Sequence, residues 1–243
     1  MEWSDEALIL SARAHGETSV IVELFTRCHG RHAGLVHGGR GRRMRPIVQV
    51  GNHVDATWKA RLADHLGHLR LDLRAPIAAL AIADRARLSA LASLAALLRL
   101  LPERDAHTAL YDVSLVVLDH LGEDDVWPAL LVSWEVALLE ALGFGLELTT
   151  CAASGSRDDL IFVSPRSGRA VSAQAGEALK DRLLPLPAFL RDPAAGAPPE
   201  QVHAGLRMTG HFLMTRVLQP LEAQMPEPRQ RLLSYLAPDA VGP

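Results

Sequence analysis

At Pro76 the sequence changes character, and a fold for this chain has to serve both sides of the change. Before it, short apolar runs are separated by turns: "EALILSAR" (6–13), "HGE" (15–17), "TSVIVELFT" (18–26) and "RHAGLVH" (31–37). Val20, Val22 and Leu24 alternate, the two-residue period of a strand with one face in a core. "IVQVGNHVDATWKARL" (47–62) reads as one or two strands around Gly51. "HLGHLRLDL" (65–73) reads as another, with a helical reading of 64–74 left open. About five short strands with Gly-rich turns predict a small closed barrel, a half-open sheet being the alternative.

After Pro76 the pattern is helical. "IAALAIADRARLSALASLAALLRLL" (77–101) is rich in Ala and Leu and predicts one helix ended by Pro102. A second helix is expected over 105–122, with Asp105 as N-cap and Gly122 just past its end. A third is expected over 124–143, with Pro128 in its first turn and Gly143 closing it. These three should pack as a bundle. The segment 146–172 interrupts the pattern with the strand-like "LIFV" and the turn signals "SGSRDD" and "SPRSG", and predicts a β-hairpin. Helices return over 173–184, 200–221 and 227–237. The expected organisation is therefore an all-β domain over 1–75 and a helical domain over 76–243, with a hairpin insertion at 146–172.

Charge divides at the same place. Residues 1–75 carry 11 basic and 8 acidic side chains, whereas 76–243 carry 14 and 20. The stretch "CHGRHAGLVHGGRGRRMRPIVQVG" (28–51) holds five arginines and three histidines and no acid. Such an asymmetry points to a polyanion as partner of the first part. Arg40, Arg42, Arg43 and Arg45 follow glycines 38 and 39, on what reads as a turn or flexible loop. Guanidinium groups bind phosphates through a fixed fork of donors, and glycines let backbone approach closely. Phosphate contacts of this kind position nucleic acid without reading its sequence. Phe25 and Trp58 are candidate rings for stacking on bases, with core packing the competing assignment.

Other chemistries find little support. "HGGRGRRMR" lacks the lysine of a phosphate-binding loop, and "GFGLEL" (143–148) follows a helix where a dinucleotide turn follows a strand. Cys28, His29, His32 and His37 lie close in sequence, but among arginines and without carboxylates they make a poor cation site. Cys151 and Ser154 have no identifiable base or orienting group. No catalytic residue, cofactor or metal is expected. Nothing resembles a secretory leader, and charged residues interrupt the most apolar region, 75–101. With two cysteines and no disulfide framework, the expected compartment is a reducing cytoplasm.

The order and spacing of "HGETSVIVELFTRCHGRHAGLVHGGRGRR" (15–43), "DLIFVSPRSGRAVS" (159–172) and "LLPLPAFL" (183–190) resemble the DNA repair protein RecO family across nearly the whole chain. The resemblance implies a mainly α protein: an N-terminal OB-fold barrel, then a helical domain carrying a small zinc-ribbon-like hairpin. It implies a bacterial, nucleoid-associated recombination mediator. Such a protein binds single- and double-stranded DNA, anneals complementary strands and acts with RecR. It helps RecA load where single-stranded-DNA-binding protein coats the strand. On this likeness Arg40, Arg42 and Arg43 fall on the family's basic loop, with Arg45 just beyond and Arg27 and Arg31 as second choices. The zinc-bearing members' cysteine pairs would fall on Cys151 and Ser154 and near Ser172 and Ala175, leaving one thiolate of four. The hairpin is expected to hold by packing of Leu160, Phe162 and Val171 and by backbone hydrogen bonds. The alternative function is a helical adaptor with little direct DNA contact.

Overall fold

A computed structural model describes residues 1–62 and 65–238. By internal contact the chain forms two compact units, Met1–Gly122 and Glu123–Pro243.

The first unit opens with five strands: β1 (Glu2–His15), β2 (Ser19–Thr26), β3 (Gly30–Val36), β4 (His53–Lys59) and β5 (His68–Ala75). Antiparallel ladders join β1 to β2, β2 to β3, β1 to β4 and β4 to β5. The strands follow the ring order β1-β2-β3-β5-β4. The expectation of an OB-fold barrel is corrected at the remaining seam. β3 and β5 run parallel there and share one pair, Leu35 with His68, supported by a 3.0 Å hydrogen bond from the Leu35 N–H to the Gly67 carbonyl. The ring closes on that side through this one parallel bridge, without a ladder like those at the other four seams. No hairpin turn sets the register of a parallel pair, so the sequence carried no signal for how this seam is made.

Ala7, Ile9, Val20, Val22, Leu24, Val54, Trp58, Leu69 and Leu71 fill the interior of the sheet. The alternation of Val20, Val22 and Leu24 holds. Phe25, on the opposite face of β2, is buried too, because Tyr111 of a helix lies against it at 5.7 Å between ring centres. The strand reading of 47–50 is corrected, since β4 begins only at His53. Segment 68–75 is a strand, and the helical alternative for it is set aside.

The single helix expected over 77–101 is two. α1 (Ile77–Ala81) stops, and α2 (Arg85–Leu98) restarts because the Asp84 carboxylate accepts the Arg87 N–H at 2.7 Å, a new N-cap inside an otherwise continuous helical composition. α2 docks on the sheet where Gly51 meets Leu91. Gly51 has φ +87°, and a Cβ there would sit 2.3 Å from the Leu91 side chain. α3 (Thr108–Asp119) starts later than expected. Asp105 is not its cap, and the Thr108 hydroxyl donates to the Arg27 carbonyl at 3.0 Å.

Among the described residues, the second unit holds α4 (Trp127–Ala141), a small sheet, and three later α-helices. Pro128 and Gly143 (φ +83°) sit at the start and end of α4 as expected. α2 and α3 belong to the first unit and α4 to the second. The sheet is β6 (Leu160–Val163), β7 (Ala170–Ser172) and β8 (Leu184–Pro185), in the order β7-β6-β8, so the hairpin gains a third strand. After α5 (Ala173–Gly176) comes α6 (Pro199–Phe212), whose Val202 and Leu206 pack on Val132 of α4 and on Phe189. α7 (Glu227–Tyr235) is the last helix described. No helix among the described residues is long and apolar enough to cross a membrane.

Candidate nucleic-acid interface

The acid-free stretch is folded. Gly38, at φ +65°, turns the chain out of β3. Gly39 is there for packing rather than for approach to a ligand, since a Cβ would lie 2.9 Å from Val20. The Arg40 N–H then donates to the Thr18 carbonyl at 3.1 Å. Next, the N–H groups of Met44 and Arg45 reach the Gly41 carbonyl, and those of Ile47 and Val48 reach the Met44 carbonyl. These are helical turns. The spacing 44, 47, 48 puts three apolar side chains on one side, and all three pack on the interior of the sheet. Arg42, Arg43 and Arg45 are left on the exposed side.

Asn52 ties this turn down. Its side chain is buried, and Nδ2 donates to the carbonyls of Pro46 (2.9 Å) and Ile47 (3.1 Å), while Oδ1 accepts the Ala78 N–H of α1 at 3.0 Å. One side-chain amide thus links the arginine turn to the start of the helices.

Among the described residues, Arg42, Arg43 and Arg45 have no ion pair and no side-chain hydrogen bond. Arg40 donates through Nη1 to the carbonyls of Glu17 (2.9 Å) and Gly16 (3.3 Å), which fix its position without neutralising it. Two grooves flank the turn. One, of about 430 Å³, is lined by Ala12, Ala14, Val20, Arg40 and Arg45. The other, of about 720 Å³, is largely apolar, with Leu73, Ile82 and Leu88 beside Arg42 and Arg45. Arg45 lines both.

Arg27 and Arg31 stand apart from these four. Arg27 pairs with Asp112 at 2.9 Å on the surface, and this contact raises the guanidinium's affinity for its proton and holds the Asp112 carboxyl below the usual range. Arg31 is only 13% exposed. It pairs with Glu23 at 2.7 Å and donates to the Arg99 carbonyl, while Arg99 reaches Glu23 from the other side at 2.7 Å. Both side chains join the sheet to helical segments of the same unit.

Neither ring singled out for base stacking is available, since Phe25 and Trp58 are buried. Trp58 spends its indole N–H on the carbonyls of Ala33 and Leu66. The sequence reading missed Asn52, whose role depends on contacts distant in sequence. It also missed the helical period of Met44, Ile47 and Val48, which was visible but masked by the β-branched character of "IVQV".

In the second unit, the Cys151 thiol is buried and donates to Ser172 Oγ at 3.5 Å, while accepting the Ser172 N–H at 3.3 Å. Hydrogen bonds from Ser154 and Ser172 pull it down to about 6. Ser172 Oγ in turn accepts the Ala175 N–H at 3.4 Å. Three positions that a zinc-bearing hairpin would furnish with thiolates are thus joined by hydrogen bonds. With one sulfur, a hydroxyl and a methyl group they do not fit zinc, which takes thiolate, imidazole or carboxylate ligands. Leu160 and Val171 are buried and Phe162 is half-buried.

Two family models match the chain: "Recombination protein O N terminal" over residues 1–74 and "Recombination protein O C terminal" over 82–225. A protein of Methylobacterium nodulans named "DNA repair protein RecO" is 50% identical over 245 residues, covering 99% of this chain and 100% of its own length. Those of Rhodospirillum centenum and Rhodospirillum rubrum, with the same name, are each 50% identical over 236 and 243 residues, covering 96% and 97% of this chain and 94% and 96% of their own lengths.

Proposed function

The chain belongs to the RecO family of DNA repair proteins, and we infer from this that it works as a recombination mediator, binding DNA and promoting annealing of complementary strands without a chemical step of its own. Arg40, Arg42, Arg43 and Arg45 make the principal contacts with the sugar–phosphate chain. Arg27 and Arg31, whose charges already meet Asp112 and Glu23, contribute second. The observation that supports this reading is the set of four exposed guanidinium groups on a folded turn, none with a carboxylate partner among the described residues. Two anionic strands repel until a cationic surface offsets part of that repulsion. A surface of this kind therefore favours pairing without reading bases.

The same reading assigns DNA binding to residues 1–75 and partner docking to the helical remainder, 76–243. The partners are RecR and single-stranded-DNA-binding protein, in support of RecA loading, at the nucleoid in the bacterial cytoplasm. The adaptor alternative needs an arginine turn that is buried or neutralised, which the exposed side chains of Arg42 and Arg43 disfavour. DNA affinity measured over a salt series tests the choice: steep loss with salt is expected for phosphate contacts, and a weak, salt-independent affinity would favour the adaptor.

A further inference from the structure

A second cluster lies at the opposite end of β3 from the arginine turn, about 20 Å away at ~3.3 Å per residue. Trp3 of β1 and Trp58 of β4 are register partners, and their rings stack at 5.7 Å and 14°. His29, in the turn before β3, covers the other face of Trp3 at 4.4 Å and 10°. His32 stands edge-on to both indoles, at 5.0 and 5.6 Å, and fixes their planes. The three parallel rings run from the interior outward: Trp58 is buried, Trp3 half-buried, and the His29 side chain 35% exposed.

His29 is clamped. Its Nδ1 lies 2.9 Å from the Asp5 carboxylate, which also accepts the Cys28 N–H at 2.7 Å and is itself 8% exposed. One face of the imidazole is taken by Trp3 and one edge by Asp5. Besides Trp3, the one ring that meets it among the described residues is His32, edge-on at 6.4 Å and 83°, and 35% of the side chain stays exposed. A pre-oriented ring loses little freedom when a ligand stacks on it.

A free cation sits beside the stack. Arg104 is exposed and forms no ion pair among the described residues. It is held in the left-handed region at φ +62° by a 2.9 Å hydrogen bond from its N–H to the Arg31 carbonyl. Such a backbone is uncommon for a residue other than glycine, Asn or Asp. The backbone of Asp105, the next residue, packs directly on Gly30, so this segment lies against the turn that carries His29.

We propose that the outer face of His29, backed by Trp3 and Trp58, is a platform on which one unpaired nucleobase stacks, with Arg104 taking the adjoining phosphate. The platform rests on the DNA-binding reading above and deepens it, because it distinguishes single strands from duplex, in which base faces are occupied by their neighbours. Stacking on an aromatic face tolerates any base, in keeping with a binder that reads no sequence.

The test compares the full chain's affinity for an oligothymidylate with its affinity for an abasic strand of equal length. The abasic strand reports the phosphate contacts of the arginine turn, and the difference between strands reports the platform, so either reading can fail without the other. The wild type should favour the base-bearing strand by about tenfold. His29→Ala should remove most of that preference and leave abasic binding unchanged, whereas His29→Phe, which keeps a ring and loses the Asp5 contact, should retain it. A preference that survives His29→Ala, or an equal fall for both strands, would overturn the platform.

Discussion

Arg229 of α7 and Glu135 of α4 form a two-pronged ion pair in the interior of the second unit, at 2.5 Å and 2.9 Å, with almost no exposure of either side chain. The guanidinium also donates to the Leu206 carbonyl of α6 at 2.7 Å, and Thr209 of the same helix donates its hydroxyl to Glu135. Three helices thus meet on one charge pair. Arg229→Met leaves the carboxylate buried with only Thr209, and urea unfolding should report a loss of about 3–5 kcal/mol. Replacing both charges, as Glu135→Leu with Arg229→Met, should recover most of it, because no uncompensated charge remains.

The arginine turn makes a prediction about ionic strength. The triple variant Arg40→Ala, Arg42→Ala, Arg43→Ala should bind unrelated single strands more weakly and to a similar extent. If each residue meets one phosphate, the slope of log affinity against log salt should become shallower by about two, at roughly 0.7 per contact. Fluorescence anisotropy over a salt series measures both. An unchanged slope would remove these residues from the interface.

Asn52 touches solvent hardly at all, yet it should matter to binding. Asn52→Ala orphans the carbonyls of Pro46 and Ile47 and the Ala78 N–H, at a cost of about 1–3 kcal/mol. Hydrogen exchange at residues 44–48 should quicken, and DNA affinity should fall because the turn no longer holds its arginines in place. Unaltered exchange in this segment would show that Met44, Ile47 and Val48 anchor it unaided.

The first unit should lose stability in mild acid. Burial holds both His32 and His53 below the ordinary histidine value, with Arg104 adding to the effect on His32 and Arg74 to that on His53. The unfolded chain takes up these protons near pH ~6.5, where the folded chain still resists them. Between the two values the unfolded state binds more protons, so stability climbs with pH through this window. It is complete above about pH 6.5 and is lost progressively below. Thermal unfolding at pH 5.5 should come roughly a few degrees lower than at pH 7.5, and His32→Phe should reduce that difference.

Local chemistry was readable in the sequence where a residue acts on its neighbours. Val20, Val22 and Leu24 announced their face by period, and Pro128 and Gly143 bounded α4 by their backbone preferences. Asp84 could have been read as a cap, but "AIADRAR" sits inside so uniform a helical composition that the break was hidden. The exposure of Arg42 and Arg43 followed from the absence of nearby acids, whereas the pairing of Arg27 and Arg31 with Asp112 and Glu23 needed the fold. Trp3 and His29 are separated by two strands' worth of chain and become neighbours only when β1 closes on β2 and β4. The contact of β3 with β5 at Leu35 and His68 has the same character.

Tyr111 of α3 lies over Phe25 and shares a 3.1 Å hydrogen bond with His53, and Arg99, just past α2, meets Glu23. The outer side of β2 is therefore roofed by helices that follow the strands in sequence. A ring of strands excised at Pro76 would expose Phe25 to water and strand Glu23 without its second arginine. The two compositional halves of this sequence are consequently not interchangeable cassettes: substitutions on the inward side of α2 or α3 would be felt at the strands, and a shift of α1 would reach the arginine turn through Asn52.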